Sequence, residues 1–109
     1  MYRQGQGIKQ DFKQALKWYR LAAEQGSAEG QYSLGRMYAA GFGSGATEAE
    51  DLMRAYMWLN LGASNLIGEA GQEAANHCDD VAKRLTPTQV GRAQEMARQC
   101  QSRNFKNCD

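Results

Sequence analysis

Valine and isoleucine are nearly missing from this chain, with two of each in 109 residues. Proline and histidine occur once each, as Pro87 and His77. So few β-branched residues argue against a sheet, and the abundant Ala, Gln, Glu, Lys, Arg, Leu and Met are helix formers. No apolar run approaches the ~18 residues of a membrane-spanning helix, so no membrane span is expected. The first ten residues, MYRQGQGIKQ, have no apolar stretch of the kind that marks a signal peptide. Charge of one sign is missing too. Thirteen Lys+Arg stand against 12 Asp+Glu, a net charge of +1, whereas nucleic-acid binders carry a basic excess; no nucleic-acid partner is expected. A chain this short buries one modest core, which excludes a two-domain enzyme with a roomy cleft.

What is abundant is glycine, twelve in all, and it is clustered. Gly5 and Gly7 are followed by Gly26, Gly30 and Gly35, then Gly41, Gly43 and Gly45, then Gly62, Gly68 and Gly71. The segments between clusters have helical length, so the glycines read as helix terminators. Thr86-Pro87-Thr88-Gln89 reads as a helix start: an N-cap, proline at the first helical position, and a capping-box Gln.

Comparing the chain with itself gives a repeat. Met1-Tyr2, Gly5 and Gly7 match Met37-Tyr38, Gly41 and Gly43, 36 residues on. Asp11, Ala15, Trp18, Leu21 and Ala23 match Asp51, Ala55, Trp58, Leu61 and Ala63, 40 residues on. The change of offset places a four-residue insertion between Gly43 and Asp51. A unit of about 36 residues is the size of a helix–turn–helix repeat.

Amphipathic spacing then predicts five helices. Over 11–25, Phe12, Ala15, Leu16, Trp18, Tyr19, Ala22 and Ala23 share a broad apolar face opposite Lys13, Lys17, Arg20 and Glu24. Over 28–40, Gln31, Leu34, Gly35 and Tyr38 face one way and Glu29, Tyr32, Ser33 and Arg36 the other. Over 49–64 the buried set is Leu52, Ala55, Tyr56, Trp58, Leu59 and Gly62. The fourth helix, 68–84, aligns Ala70, Ala74, Cys78, Val81 and Ala82, and the fifth, 87–103, aligns Val90, Ala93, Ala97 and Cys100. Small residues such as Gly35, Ala75, Ala15, Ala22, Ala55 and Gly62 let helices approach, and Trp18 and Trp58 are expected to fill the space between them. Leu21 and Leu61 lie on the polar side of their helices. They read as contacts with a neighbouring repeat or the C-terminal helix, or as an outward apolar strip.

Three segments carry a family resemblance. They are Ala28-Glu29-Gly30-Gln31-Tyr32-Ser33-Leu34-Gly35-Arg36-Met37-Tyr38, then Gly41-Phe42-Gly43, and Asp11 through Ala23 (DFKQALKWYRLAA) closed by Gln25-Gly26. This pattern resembles the Sel-one-like repeat family, a branch of the tetratricopeptide-like α-solenoids, over about residues 1–82. The tail, LTPTQV…AQEMARQC…NFKNC, looks like the C-terminal cap of some bacterial repeat proteins of this type. The resemblance implies an all-α superhelix of antiparallel helix pairs, about 2.5 repeats plus a C-terminal capping helix. Repeats would fill 1–85: a partial first unit with its second helix (1–36), a second unit with the loop insertion (37–66) and a degenerate third (67–85). Cap and tail would fill 86–109. Met1-Tyr2 stands where the end of a unit's first helix is expected, so either the chain is a fragment of a longer protein or the solenoid's N-terminal end is uncapped.

The chemistry-bearing residues are few. His77 and Cys78 are neighbours, and adjacent helical residues point about 100° apart, so no nucleophile–base pair forms locally. Cys78 reads as a buried, inert thiol. His77 and Asp80, beside Asp79, have no second cluster at ligand spacing, so no metal site and no cofactor are expected. Gly41-Phe42-Gly43-Ser44-Gly45 lacks the GK[ST] ending and follows a helix, so it reads as a turn. Glu48, Glu50 and Asp51 suit a helix N-terminus, as does Asp11. Cys100 and Cys108 are eight residues apart and could join if the tail folds back. A bond would point to an oxidising compartment, bacterial periplasmic or secreted; two reduced thiols would suit the cytoplasm.

The resemblance implies a non-enzymatic binding module, with the first helix of each pair lining a concave face. That assigns Glu29, Tyr32, Ser33, Arg36 and Ala40 to the face, with Glu73, Asn76 and Asp80 at the matching positions of the next unit. Mixed Arg, Tyr and carboxylate chemistry suits a peptide or protein partner. The alternatives are a self-assembling subunit, a homodimer through the uncapped N-terminal end, or a β-lactam-binding, small-ligand-binding or hydrolytic relative.

Overall fold

A computed structural model describes residues 8–41 and 47–108, with side chains from residue 13 onward. Among the described residues there are five helices and no strand: α1 (Ile8–Glu24), α2 (Ala28–Ala39), α3 (Glu48–Asn65), α4 (Gly68–Ala82) and α5 (Pro87–Ser102). Each of α1 to α3 packs on the next, and α5 turns back onto α3. The result is a small α-solenoid. Residues 1–7, residues 42–46 within the stretch that carries the insertion, and the side chains of Asp11 and Phe12 lie outside the described residues.

Local chemistry sets the helix ends. Gly26 (φ +91°) closes α1 in the left-handed conformation. Ser27 N–H then reaches the Ala22 carbonyl and Gly26 N–H the Ala23 carbonyl, both at 3.0 Å, the bond pair of a Schellman turn. Ser27 starts α2 at once, its Oγ accepting from Gly30 N–H at 3.0 Å. Thr47 caps α3 through Glu50 N–H at 3.1 Å, and Glu48, Glu50 and Asp51 occupy the first turn, where negative charge meets the positive end of the helix dipole. Thr86 and Gln89 form a reciprocal capping box ahead of Pro87 in α5.

The core centres on α3. Ala55, Met57, Trp58 and Leu59 are at most 1% exposed, joined by Leu34 and Tyr38 of α2, Cys78 and Val81 of α4, and Ala97 and Cys100 of α5. Backbone closeness makes this possible. A Cβ added at Gly35 would fall 2.7 Å from Leu59 Cγ and 2.9 Å from Leu59 N, so α2 and α3 touch where no larger residue fits. Gln31 is fully buried, and its Nε2 donates to the Ala23 carbonyl at 3.2 Å, tying α2 to the end of α1.

Two packing expectations are corrected. Trp18 does not fill the core: it is 64% exposed, and Tyr19 is 36% exposed. The Ala55–Leu59–Gly62 side of α3 lies against α2, whereas among the described residues the corresponding side of α1 meets no preceding helix. Ala70 is also exposed, because only Ala74, Cys78 and Val81 of α4 are buried. Leu21 and Leu61 divide: Leu61 is 4% exposed and Leu21 is 42% exposed.

The C-terminal tail folds back. Asn104 (φ 56°) and Phe105 (φ 65°) take left-handed conformations, and Phe105 N–H donates to the Cys100 carbonyl at 2.9 Å. Cys100 and Cys108 form a disulfide with Cα atoms 5.2 Å apart. The turn lays the Phe105 ring beside Gly26 and Lys106 Nζ on the Glu24 carbonyl at 2.7 Å.

Candidate interaction surface

On α2, Tyr32 and Arg36 are one turn apart. On α4, Glu73, Asn76, His77 and Asp80 follow helical spacing on one side. The contact between α2 and α4 brings these six side chains around a groove of about 350 Å³. The Tyr32 and His77 rings lie 5.7 Å apart, tilted by 56°. The Arg36 guanidinium sits 5.6 Å from the centre of the Tyr32 ring, within cation–π range. Gln72 Nε2 donates to Asn76 Oδ1 at 3.1 Å and so orients the Asn76 amide. The groove offers a guanidinium, two carboxylates, an amide and an aromatic pair. It can hold a peptide backbone by hydrogen bonds and sort side chains by charge.

Five of the eight residues assigned from sequence therefore line one groove: Tyr32, Arg36, Glu73, Asn76 and Asp80. Ser33 faces a neighbouring depression with Tyr19, Arg36, Met37 and Ala40, and Arg36 is common to both. Glu29 is exposed in the first turn of α2 and lines neither. His77 belongs to the groove, although the sequence offered it only as a histidine without a nucleophile or metal partner and left it out of the face. Its position three residues before Asp80 and one turn after Glu73 was the available signal. A second groove of about 350 Å³ runs between α3 and α5, with Asn60, Ser64, Gln94, Arg98 and Gln101 around Leu61 and Ala97. The apolar Leu61 on a polar helix side marks where α5 lands.

Cys78 stands apart from this surface chemistry. It is 7% exposed, and its Sγ lies 3.8 Å from the Tyr56 carbonyl. Burial, with the Asp79 carboxylate adding to it and a hydrogen bond from Tyr56 opposing, pushes the thiol up to about 11. A thiol held that high is protonated at neutral pH and is a poor nucleophile. Among the described residues, no three His, Cys, Asp or Glu side chains gather as metal ligands, and no helix is long and apolar enough to cross a membrane.

Comparison with known proteins adds a family. No curated protein and no solved structure matches the chain significantly. The family model described as Sel1 repeat matches twice, over residues 1–27 and 28–65. The junction between the two matches falls at Ser27, where α1 ends and α2 is capped. Repeat spacing, paired helices and family model agree, and the chain belongs to the Sel1 repeat family.

Proposed function

We propose that the protein is a non-enzymatic interaction module that holds a peptide or protein segment along the concave side of its first helices, α2 and α4. Sel1 repeats are typically protein-interaction modules and generally non-catalytic. The observation that carries the reading is the convergence of Tyr32 and Arg36 from one unit with Glu73, Asn76, His77 and Asp80 from the next around a single groove. Arg36 stacked on Tyr32 presents a rigid, amphipathic anchor of the kind that dominates protein interfaces. Glu29 and Ser33 extend the same helix side. The Cys100–Cys108 bond supports residence in an oxidising compartment.

The test is a photo-crosslinking residue at position 76 in the full chain, used in extract of the source cells, with products identified by mass spectrometry. One cross-linked protein, lost in a Tyr32→Ala/Arg36→Glu variant of unchanged melting temperature, is the expected outcome. A product that the variant retains, or no product above background, overturns the concave-face reading.

A further inference from the structure

Among the described residues no helix covers one face of α1, and that face has the pattern of a two-helix seam. Gln14, Trp18, Leu21 and Gln25 are spaced by four, three and four residues, the rhythm with which paired helices meet. All four are exposed, Trp18 by 64% and Leu21 by 42%. The same positions one unit later, Trp58 and Leu61, are 1% and 4% exposed beneath neighbouring helices. Side chains at these positions therefore receive helices within this molecule.

The seam also indicates its occupant. Two α1 helices run antiparallel set Trp18 of each copy against Leu21 of the other at the centre, and Gln14 against Gln25 at the ends. In that register Lys17 of each copy approaches Glu24 of the other on one flank. Ala15 lines the other flank, while Ala22 beyond it packs on Gly30 of α2. A parallel pair would instead set Lys17 of each copy beside Ala22 of the other and leave both charges without an opposite partner. Apolar centre, polar ends and crossed charges are what a two-fold, self-complementary contact requires. We propose that the protein self-associates as a two-fold dimer through an antiparallel α1–α1 seam, with Trp18 and Leu21 at its centre. The groove between α2 and α4 is formed by other residues, so the two surfaces succeed or fail independently.

The seam is short and the dimer is weak, so the test is sedimentation equilibrium of the full chain from about ten micromolar to about one millimolar. The weight-average mass should rise from 12.1 kDa toward twice that value. Tryptophan emission should shift to the blue, and acrylamide quenching should fall. Trp58 is already buried, so the change belongs to Trp18. Trp18→Glu should abolish association and leave far-ultraviolet circular dichroism unchanged, because Trp18 is exposed in the single chain. At low ionic strength Lys17→Glu alone and Glu24→Lys alone should each weaken the dimer severalfold, and the double reversal should restore it. Lys17 and Glu24 lie about 10 Å apart along one helix, so restoration requires two copies. A single monomeric species throughout, a dimer indifferent to Trp18→Glu, or a double reversal no tighter than the singles overturns the proposal.

Discussion

Helices α1 and α3 carry the same residues at the same places: Ala15 and Ala55, Trp18 and Trp58, Leu21 and Leu61. Their surroundings differ. α3 has α2 on one side, α4 on another and α5 across it, whereas α1 packs on α2 and meets the C-terminal tail at its last turn. Trp58 is consequently 1% exposed and Trp18 is 64% exposed. In a repeat array the identity of a side chain states what it can bury, and its neighbours decide whether it does. Stability is then a sum of unit and interface contributions, and a conserved-looking position can be worth much or little within one chain.

The sharpest way to break that comparison is to truncate both tryptophans. Trp58→Ala should cost on the order of 3–5 kcal/mol in urea denaturation. Trp18→Ala should cost less than about 1 kcal/mol at concentrations where the chain is monomeric. Equal costs would mean that α1 is covered in solution. Next in size is the tail. Replacing Cys100 and Cys108 by Ser should cost about 2–3 kcal/mol by loop-closure entropy. It should also speed amide exchange at Gly26, beside which the Phe105 ring lies, and leave the centre of α3 unchanged.

Glycine substitutions sharpen the contrast further. Gly35→Ala forces a methyl group against Leu59 and should cost about 1–3 kcal/mol. Gly91 in α5 has no atom within 4 Å of an added Cβ, so Gly91→Ala should stabilise by about 0.5–1 kcal/mol. The smallest effect concerns Cys78, which stands on α4 where α2 has Tyr38. Its thiol is raised from 9.0 to about 11, so the folded chain favours the protonated form. That contribution is intact below pH 9 and is lost as pH rises toward 11. Between those limits the denaturation midpoint should fall more steeply for the native chain than for Cys78→Ala.

Much of this was legible in the sequence because the cues are local. Thr86-Pro87-Thr88-Gln89 specifies its own capping box, Gly26 its own left-handed turn, and 3.6-residue spacing the inner side of α2. Five groove residues were named through the family resemblance; among them Arg36 and Asn76, 40 residues apart, are the pair that repeat register matches. Trp18 was misread because its pattern matches that of Trp58 and carries no record of which neighbours are present. His77 was missed because its role arises from Tyr32, a residue 45 positions away on another helix. Ser33 parts from Tyr32 because consecutive helical residues diverge by about 100°, enough to put them in different depressions.

Lys106 on the Glu24 carbonyl and Phe105 on Gly26 join points of the chain about eighty residues apart. Most contacts in a helical array are short in sequence, so such proteins fold quickly and fray from their ends. Here the tail grips the last turn of α1, and the array becomes a ring in contact space. Peeling α1 away requires the tail to let go first, and drawing off the tail loosens α1. Helix α1 and the tail should therefore melt together, as one event.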